Sequence, residues 1–208
     1  MNFETPEVVG PRLFLVGGYA GSGKTHFGDM LICHLLKAGR KACLLDKDTI
    51  ERPILEAGLR SLSGNPDDRE SELYMSVFRG PEYEGMLAGA INNLVLGVDV
   101  VLTAPFIKEF VSRDWSTYVE SEAVKLDFSI CWLWVTCSED VAVVRLKERG
   151  ASRDKWKLAN WSAYLASLPS PYNVAPSWSV RGTVIQNTGN TSDLFDYSLP
   201  SGLIPTCE

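Results

Sequence analysis

The sequence predicts an α/β fold, a single parallel sheet covered by helices on both faces. Two observations carry that reading: short apolar strands alternate with helices along the chain, and a glycine-rich loop joins the first strand to the first helix. No internal repeat or low-complexity linker interrupts the alternation, so one domain over residues 1–208 is expected.

Each element has a local cause. The apolar run Arg12–Val16 stops at a glycine cluster and reads as the first strand. From Thr25 the apolar residues Phe27, Met30, Leu31, Leu35 and Ala38 recur at helical spacing, and Gly39 closes that helix. Lys41–Leu45 is a second strand running into Asp46. Between Pro53 and Gly97 the pattern is helical, broken by the turn-rich SGNPDD and again at Arg79-Gly80-Pro81, where Pro81 should separate two helices. Val98–Thr103 is a third strand, Trp115–Val124 a helix and Phe128–Thr136 a fourth strand. Ser138–Arg149 is a helix with Ser138 as N-cap and Asp140 in its first turn. A charged segment after Gly150 turns helical, a proline-rich stretch follows, and a last strand lies near Thr183–Gln186.

Composition narrows the function classes. At 45% hydrophobic and 22% charged the chain is ordinary for a globular protein. Its apolar runs fall far short of the roughly 20 residues of a membrane helix, and the start MNFETPEVVG lacks a basic leader, so a soluble, cytoplasmic protein with no membrane partner is expected. Cysteines at 33, 43, 131, 137 and 207 show no CxxC spacing, which argues against disulfide and zinc frameworks. A net charge of −6 argues against a broad nucleic-acid surface and leaves small anionic ligands open.

The loop Gly18-Tyr19-Ala20-Gly21-Ser22-Gly23-Lys24-Thr25 matches GxxxxGK[ST] at every fixed position, directly after a predicted strand and before a predicted helix. Chance alone would produce the fixed residues in about one chain in a hundred of this length, before strand and helix are demanded. The pattern is that of a P-loop. Gly18, Gly21, Ser22 and Gly23 let backbone N–H groups converge on phosphate, Lys24 reaches the β/γ oxygens of ATP, and the Thr25 hydroxyl suits Mg²⁺. No glycines lie at the dinucleotide spacing G-x-G-x-x-G.

The third strand ends in Thr103 rather than in a Walker B aspartate, and Asp99 stands at its other end. The second strand does end in acids, Asp46-Lys47-Asp48. Two carboxylates on one face of an extended segment suit phosphoryl transfer to a hydroxyl: one helps hold a metal and its waters, the other accepts the hydroxyl proton. Arg145, Arg149 and Arg153, spaced by four around the break at Gly150, could close over a triphosphate.

GGYAGSGKT, the DKD after the second strand and the basic RLKERGASRD segment together resemble the P-loop kinases of the zeta-toxin, polynucleotide-kinase, gluconate-kinase and shikimate-kinase group, the AAA-like ATP-binding kinases. The resemblance spans about Arg12 to Asn187. It implies a five-stranded parallel sheet in the order 2-3-1-4-5, a substrate-binding helical region over about 52–97 and a lid over about 149–168. By matching position it implies that Lys24 and Thr25 hold phosphate and magnesium, Asp46 supports the metal and Asp48 is the base. It further implies that Arg149 and Arg153 act from the lid and that Asn187 lies where such kinases pass adenine. Of the segments that would face a substrate, Arg52 and Arg79 are the expected contacts, because arginines near a sheet's C-terminal edge serve anionic or polyhydroxylated ligands.

The expected activity is ATP-dependent phosphorylation of a hydroxyl on a small molecule, whether metabolite, sugar, nucleoside or natural product such as an antibiotic. The alternatives are a kinase for a nucleotide sugar or a polynucleotide 5′-hydroxyl, or a regulatory ATP-binding module without transfer. The DKD pair would be idle in such a module.

Overall fold

The computed structural model describes residues 10–177 and 182–187. Five strands, β1 (Arg12–Gly17), β2 (Ala42–Asp46), β3 (Asp99–Thr103), β4 (Ser129–Thr136) and β5 (Thr183–Gln186), form one sheet in the order β2-β3-β1-β4-β5. Every neighbouring pair is parallel. The alternation read from the sequence therefore produces the doubly covered sheet it predicts, with β1 at the centre and every residue of that strand buried.

Alternation along β1 divides the core. Leu13 and Leu15 face one side with Val100, Leu102, Trp132 and Trp134, under helices α4 (Arg79–Val95) and α5 (Arg113–Leu126). Phe14 and Val16 face the other with Val101, Leu133 and Val135, against Phe27, Leu31 and Leu35 of α1 (Lys24–Lys37). α1 lies so close to β3 that a Cβ on Gly28 would stand 2.5 Å from Thr103 Cγ2. At the sheet's N-terminal edge the fully buried Asp99 accepts from the Arg12 amide at 2.9 Å and pairs with the guanidinium groups of Arg12 and Arg40. Asp99, at the wrong end of β3 for a Walker B acid, thus belongs to a structural ion cluster.

Two short helices, α2 (Lys47–Ile50) and α3 (Arg52–Ser63), follow β2. Pro81 does not separate two helices as predicted. A π-helical turn, Tyr74–Phe78, leads directly into α4, and Pro81 sits in the first turn of α4. There its missing N–H has little to lose, and the wider π turn relieves the clash a proline makes with the preceding carbonyl. Beyond α6 (Glu139–Arg149), capped by Ser138 through the Val141 amide at 3.4 Å, the chain forms a 3₁₀ turn (Ser152–Asp154), α7 (Lys155–Ala159) and α8 (Trp161–Ala166). Cys33, Cys43, Cys131 and Cys137 are free thiols, while Cys207 and most of the acidic N-terminal segment lie outside the described residues. No helix among the described residues is long and apolar enough to cross a membrane.

Candidate functional site

Parallel pairing brings the C-terminal ends of β1, β2 and β3 to one edge, and the register sets Asp46 opposite Thr103 and Thr103 opposite Val16. The glycine loop rises from β1 at this edge. Gly21 and Gly23 have φ of +77° and +90°, and a Cβ on Gly23 would stand 2.0 Å from Asn187 Nδ2, so both backbone and space demand glycine there.

The loop is held from behind. Asn187 Nδ2 donates to the Ser22 carbonyl at 2.8 Å, and Arg145 donates to the carbonyls of Gly21 and Ser22 at 3.4 and 3.3 Å and to Asn187 Oδ1 at 3.1 Å. A planar trans peptide opposes its C=O and N–H, so the Gly23 N–H faces away from this clamp. Asn187, expected at an adenine, thus gives its Nδ2 to the loop and its Oδ1 to Arg145 of α6. Tyr19, buried in the loop's first turn, packs on Trp134 and Tyr172 with ring centroids 5.1 and 5.2 Å away, and Tyr172 donates its hydroxyl to the Ala20 carbonyl at 2.8 Å.

Lys24 opens α1 and donates from Nζ to the Tyr19 carbonyl at 3.3 Å. Burial lowers its pKa to about 8 against the opposing pull of Asp48 and Asp46, and the charges of Arg149 and Arg153 lower it further. The two basic residues expected in the lid therefore do lie within electrostatic reach of the loop lysine.

Asp46 caps α2 and is tied down by three threonines. Its Oδ1 accepts from the Thr49 amide and hydroxyl, both at 2.9 Å, and its Oδ2 accepts from Thr103 Oγ1 at 2.6 Å and Thr25 Oγ1 at 3.3 Å. Thr25 and Asp46 thus present a hydroxyl and a carboxylate oxygen side by side at the loop's mouth, the hard oxygen donors Mg²⁺ takes. Thr103, which no sequence motif singles out, orients this carboxylate from the strand position a Walker B acid would fill.

Asp48 points elsewhere, and forms a 2.9 Å ion pair with Arg153. Burial alone would raise its pKa, but Arg153, Lys24, Lys47 and Arg69 together outweigh burial and hold it below the ordinary carboxylate value. The carboxylate is ionised at neutral pH. Arg149, whose guanidinium is partly exposed, is engaged by Asp154 at 2.6 Å.

Of the two expected substrate arginines, one is tied to an acid and the other stands on the surface. Arg79 is locked to Glu109 by two bonds of 2.6 and 2.9 Å and lies 4.6 Å over the ring of Tyr83, while Arg52 is exposed at the start of α3 with no ion-pair partner among the described residues. The sequence could not show Glu109, thirty residues away, reaching Arg79. A polar cluster takes their place: Lys47 and Glu82, both buried, pair at 2.8 Å, Tyr74 donates to Glu82 at 2.9 Å, and Arg69 stands 3.9 Å from Glu82. Lys157 and Glu70 form an ion pair beside it.

Comparison with known proteins fits this geometry. The family model described as an AAA domain matches residues 13–171. A candidate kinase of Chloroflexus aurantiacus J-10-fl superposes with a TM-score of 0.59 at 17% identity, over 89% of this chain and 92% of that one. Chaetomium thermophilum Kti12, solved with ADP-AlF3, gives 0.53 at 17% identity over 88% and 93%, and a sugar kinase of Janibacter sp. HTCC2649 gives 0.51 at 16% identity over 89% and 90%. At these identities the likeness is one of fold, the α/β P-loop fold. No curated protein sequence matches the chain.

Proposed function

The chain belongs to this AAA-domain family, and on that premise we propose that it is an ATP-dependent phosphotransferase that moves the γ-phosphoryl group to a hydroxyl of a small molecule. The observation that carries the proposal is the divergence of the two DKD carboxylates: Asp46 is bound to the hydroxyls of Thr25 and Thr103 at the loop, whereas Asp48 turns to Arg153. A protein that only bound nucleotide would have use for the first and none for the second.

In this reading the P-loop amides and Lys24 hold the β- and γ-phosphates. Thr25 and Asp46 would hold Mg²⁺, which when bound would neutralise charge on the phosphate oxygens. Asp48 orients the acceptor hydroxyl and takes its proton as the acceptor oxygen bonds to the γ-phosphorus. The bond from that phosphorus to the β,γ-bridging oxygen breaks, and ADP leaves with the electron pair. Arg153, released from Asp48 as acceptor enters, and Arg149 offset charge on the group in transit. Asn187 and Arg145 keep the loop in register without touching the reacting atoms.

The test is ADP release measured against a panel of neutral, carboxylated and phosphorylated polyols. The proposal requires ADP release that depends on an added acceptor. Slow release unchanged by every acceptor would favour the nucleotide-binding module instead.

A further inference from the structure

Among the described residues beside the proposed reaction centre, Arg69 is a buried guanidinium with no close ion-pair partner. Lys47 satisfies Glu82 at 2.8 Å, Arg153 satisfies Asp48 at 2.9 Å, Arg79 satisfies Glu109, and Lys157 satisfies Glu70. Arg69 has only loose neighbours: Glu82, already neutralised by Lys47, and Glu56, each 3.9 Å away. Its side chain is 10% exposed, yet Nε and Nη2 meet no hydrogen-bond acceptor among the described residues. Arg153 Nη1 is buried and equally unmet. Burying donors without acceptors is costly, and a guanidinium fork is shaped for the two oxygens of a carboxylate or phosphate.

Both arginines line one cleft of about 510 Å³ between the 65–71 loop and residues 152–156, with Trp156 on its wall. The acids on this lining are occupied. Asp67 accepts from Ser152 at 2.7 Å, Asp68 accepts from the amides of Glu70 and Ser71, and Glu70 is held by Lys157. With Arg69, Arg153 and Lys155 facing Asp67, Asp68 and Glu70 the lining is balanced in charge, so what sets Arg69 apart is its buried donors without acceptors.

We propose that Arg69 is the specificity-determining contact for the acceptor, and that the acceptor carries an oxyanion which docks on Arg69 while its hydroxyl lies against Asp48. The position of the hydroxyl rests on the phosphotransferase reading; the anion site does not. An anionic group entering the cleft gives Arg69 the two acceptors it lacks and reaches the free edge of Arg153, so that anion binding also brings the lid segment onto the acceptor.

The experiment is calorimetric titration of the full chain, first saturated with ADP to fill the P-loop, with sodium sulfate and separately with sodium malonate at constant ionic strength. Sulfate stands for a phosphate or sulfate ester and malonate for a carboxylate, so the preferred probe identifies the group. The expected result is saturable binding of one anion, weakened about 10- to 100-fold in Arg69→Gln and less in Arg69→Lys, which keeps the charge and loses the fork. Arg69→Lys also guards against a fold defect in Arg69→Gln, and matched melting curves establish that both variants are folded. No binding of either anion to the wild-type protein, or equal binding by folded wild type and both variants, would overturn the proposal. Neither result depends on turnover, so failure of the anion site and failure of phosphoryl transfer are distinguishable.

Discussion

At the residue scale, two carboxylates two positions apart meet different partners. Asp46 is fixed by four hydrogen bonds from Thr25, Thr49 and Thr103, and Asp48 faces Arg153. Asp48→Asn keeps shape but cannot accept a proton, so kcat should fall on the order of 10²–10⁴ with ATP affinity nearly unchanged. Asp46→Asn should instead raise the magnesium requirement, and added Mg²⁺ should recover part of its activity. A magnesium titration of both variants checks this, and rescue of Asp48→Asn in place of Asp46→Asn would reverse the assignment. The DKD pair is legible in the sequence because adjacency in the chain ensures adjacency in space. Its partner Thr103 is not, since 57 residues separate it from Asp46 and only the strand register joins them. Arg79 misleads for the same reason: a side chain's type is visible in a sequence, but the acid that neutralises it is not.

At the scale of elements, the loop and the segment after α6 carry separate consequences. The P-loop keeps its shape because Asn187, just beyond β5, and Arg145 of α6 reach its rear carbonyls. Asn187→Ala leaves the Ser22 carbonyl only its longer bond from Arg145, at a cost of about 1–2 kcal/mol, so ATP should bind roughly 5- to 30-fold more weakly by calorimetry. An adenine-contact role would instead show as a changed preference between ATP and GTP. Gly28→Ala pushes α1 off β3 against Thr103 and should destabilise the protein by about 1–3 kcal/mol in a denaturant titration. In the turn after α6, Arg153→Ala should lower kcat more than it raises KM for ATP if the guanidinium serves mainly the transition state; the reverse split would make it a ground-state contact. Element boundaries are legible wherever a cap or glycine marks them, as at Ser138 and Gly39. The π turn ahead of Pro81 is not, because a proline at the first turn of a helix and one that ends a helix look alike in a sequence.

At the scale of the whole molecule, the sheet order β2-β3-β1-β4-β5 gathers the P-loop, the DKD segment, Arg149 and Arg153 on one edge, although they are spread from residue 18 to residue 153. This architecture is legible from the sequence because strands and helices alternate and right-handed parallel crossovers admit few arrangements. The cleft proposed for the acceptor is not, since it is assembled from the 65–71 loop and residues 152–156, far apart in the chain, and no local pattern encodes their meeting. Whether the molecule transfers a phosphoryl group is decided by following the γ-phosphate itself. Phosphorus NMR of the wild-type protein with ATP, Mg²⁺ and a panel of hydroxylated carboxylates and phosphates should show a new phosphate monoester growing in step with ADP, and Asp48→Asn should suppress both signals together. ADP accompanied only by inorganic phosphate, at a rate indifferent to acceptor and to Asp48→Asn, would contradict phosphoryl transfer to a hydroxyl.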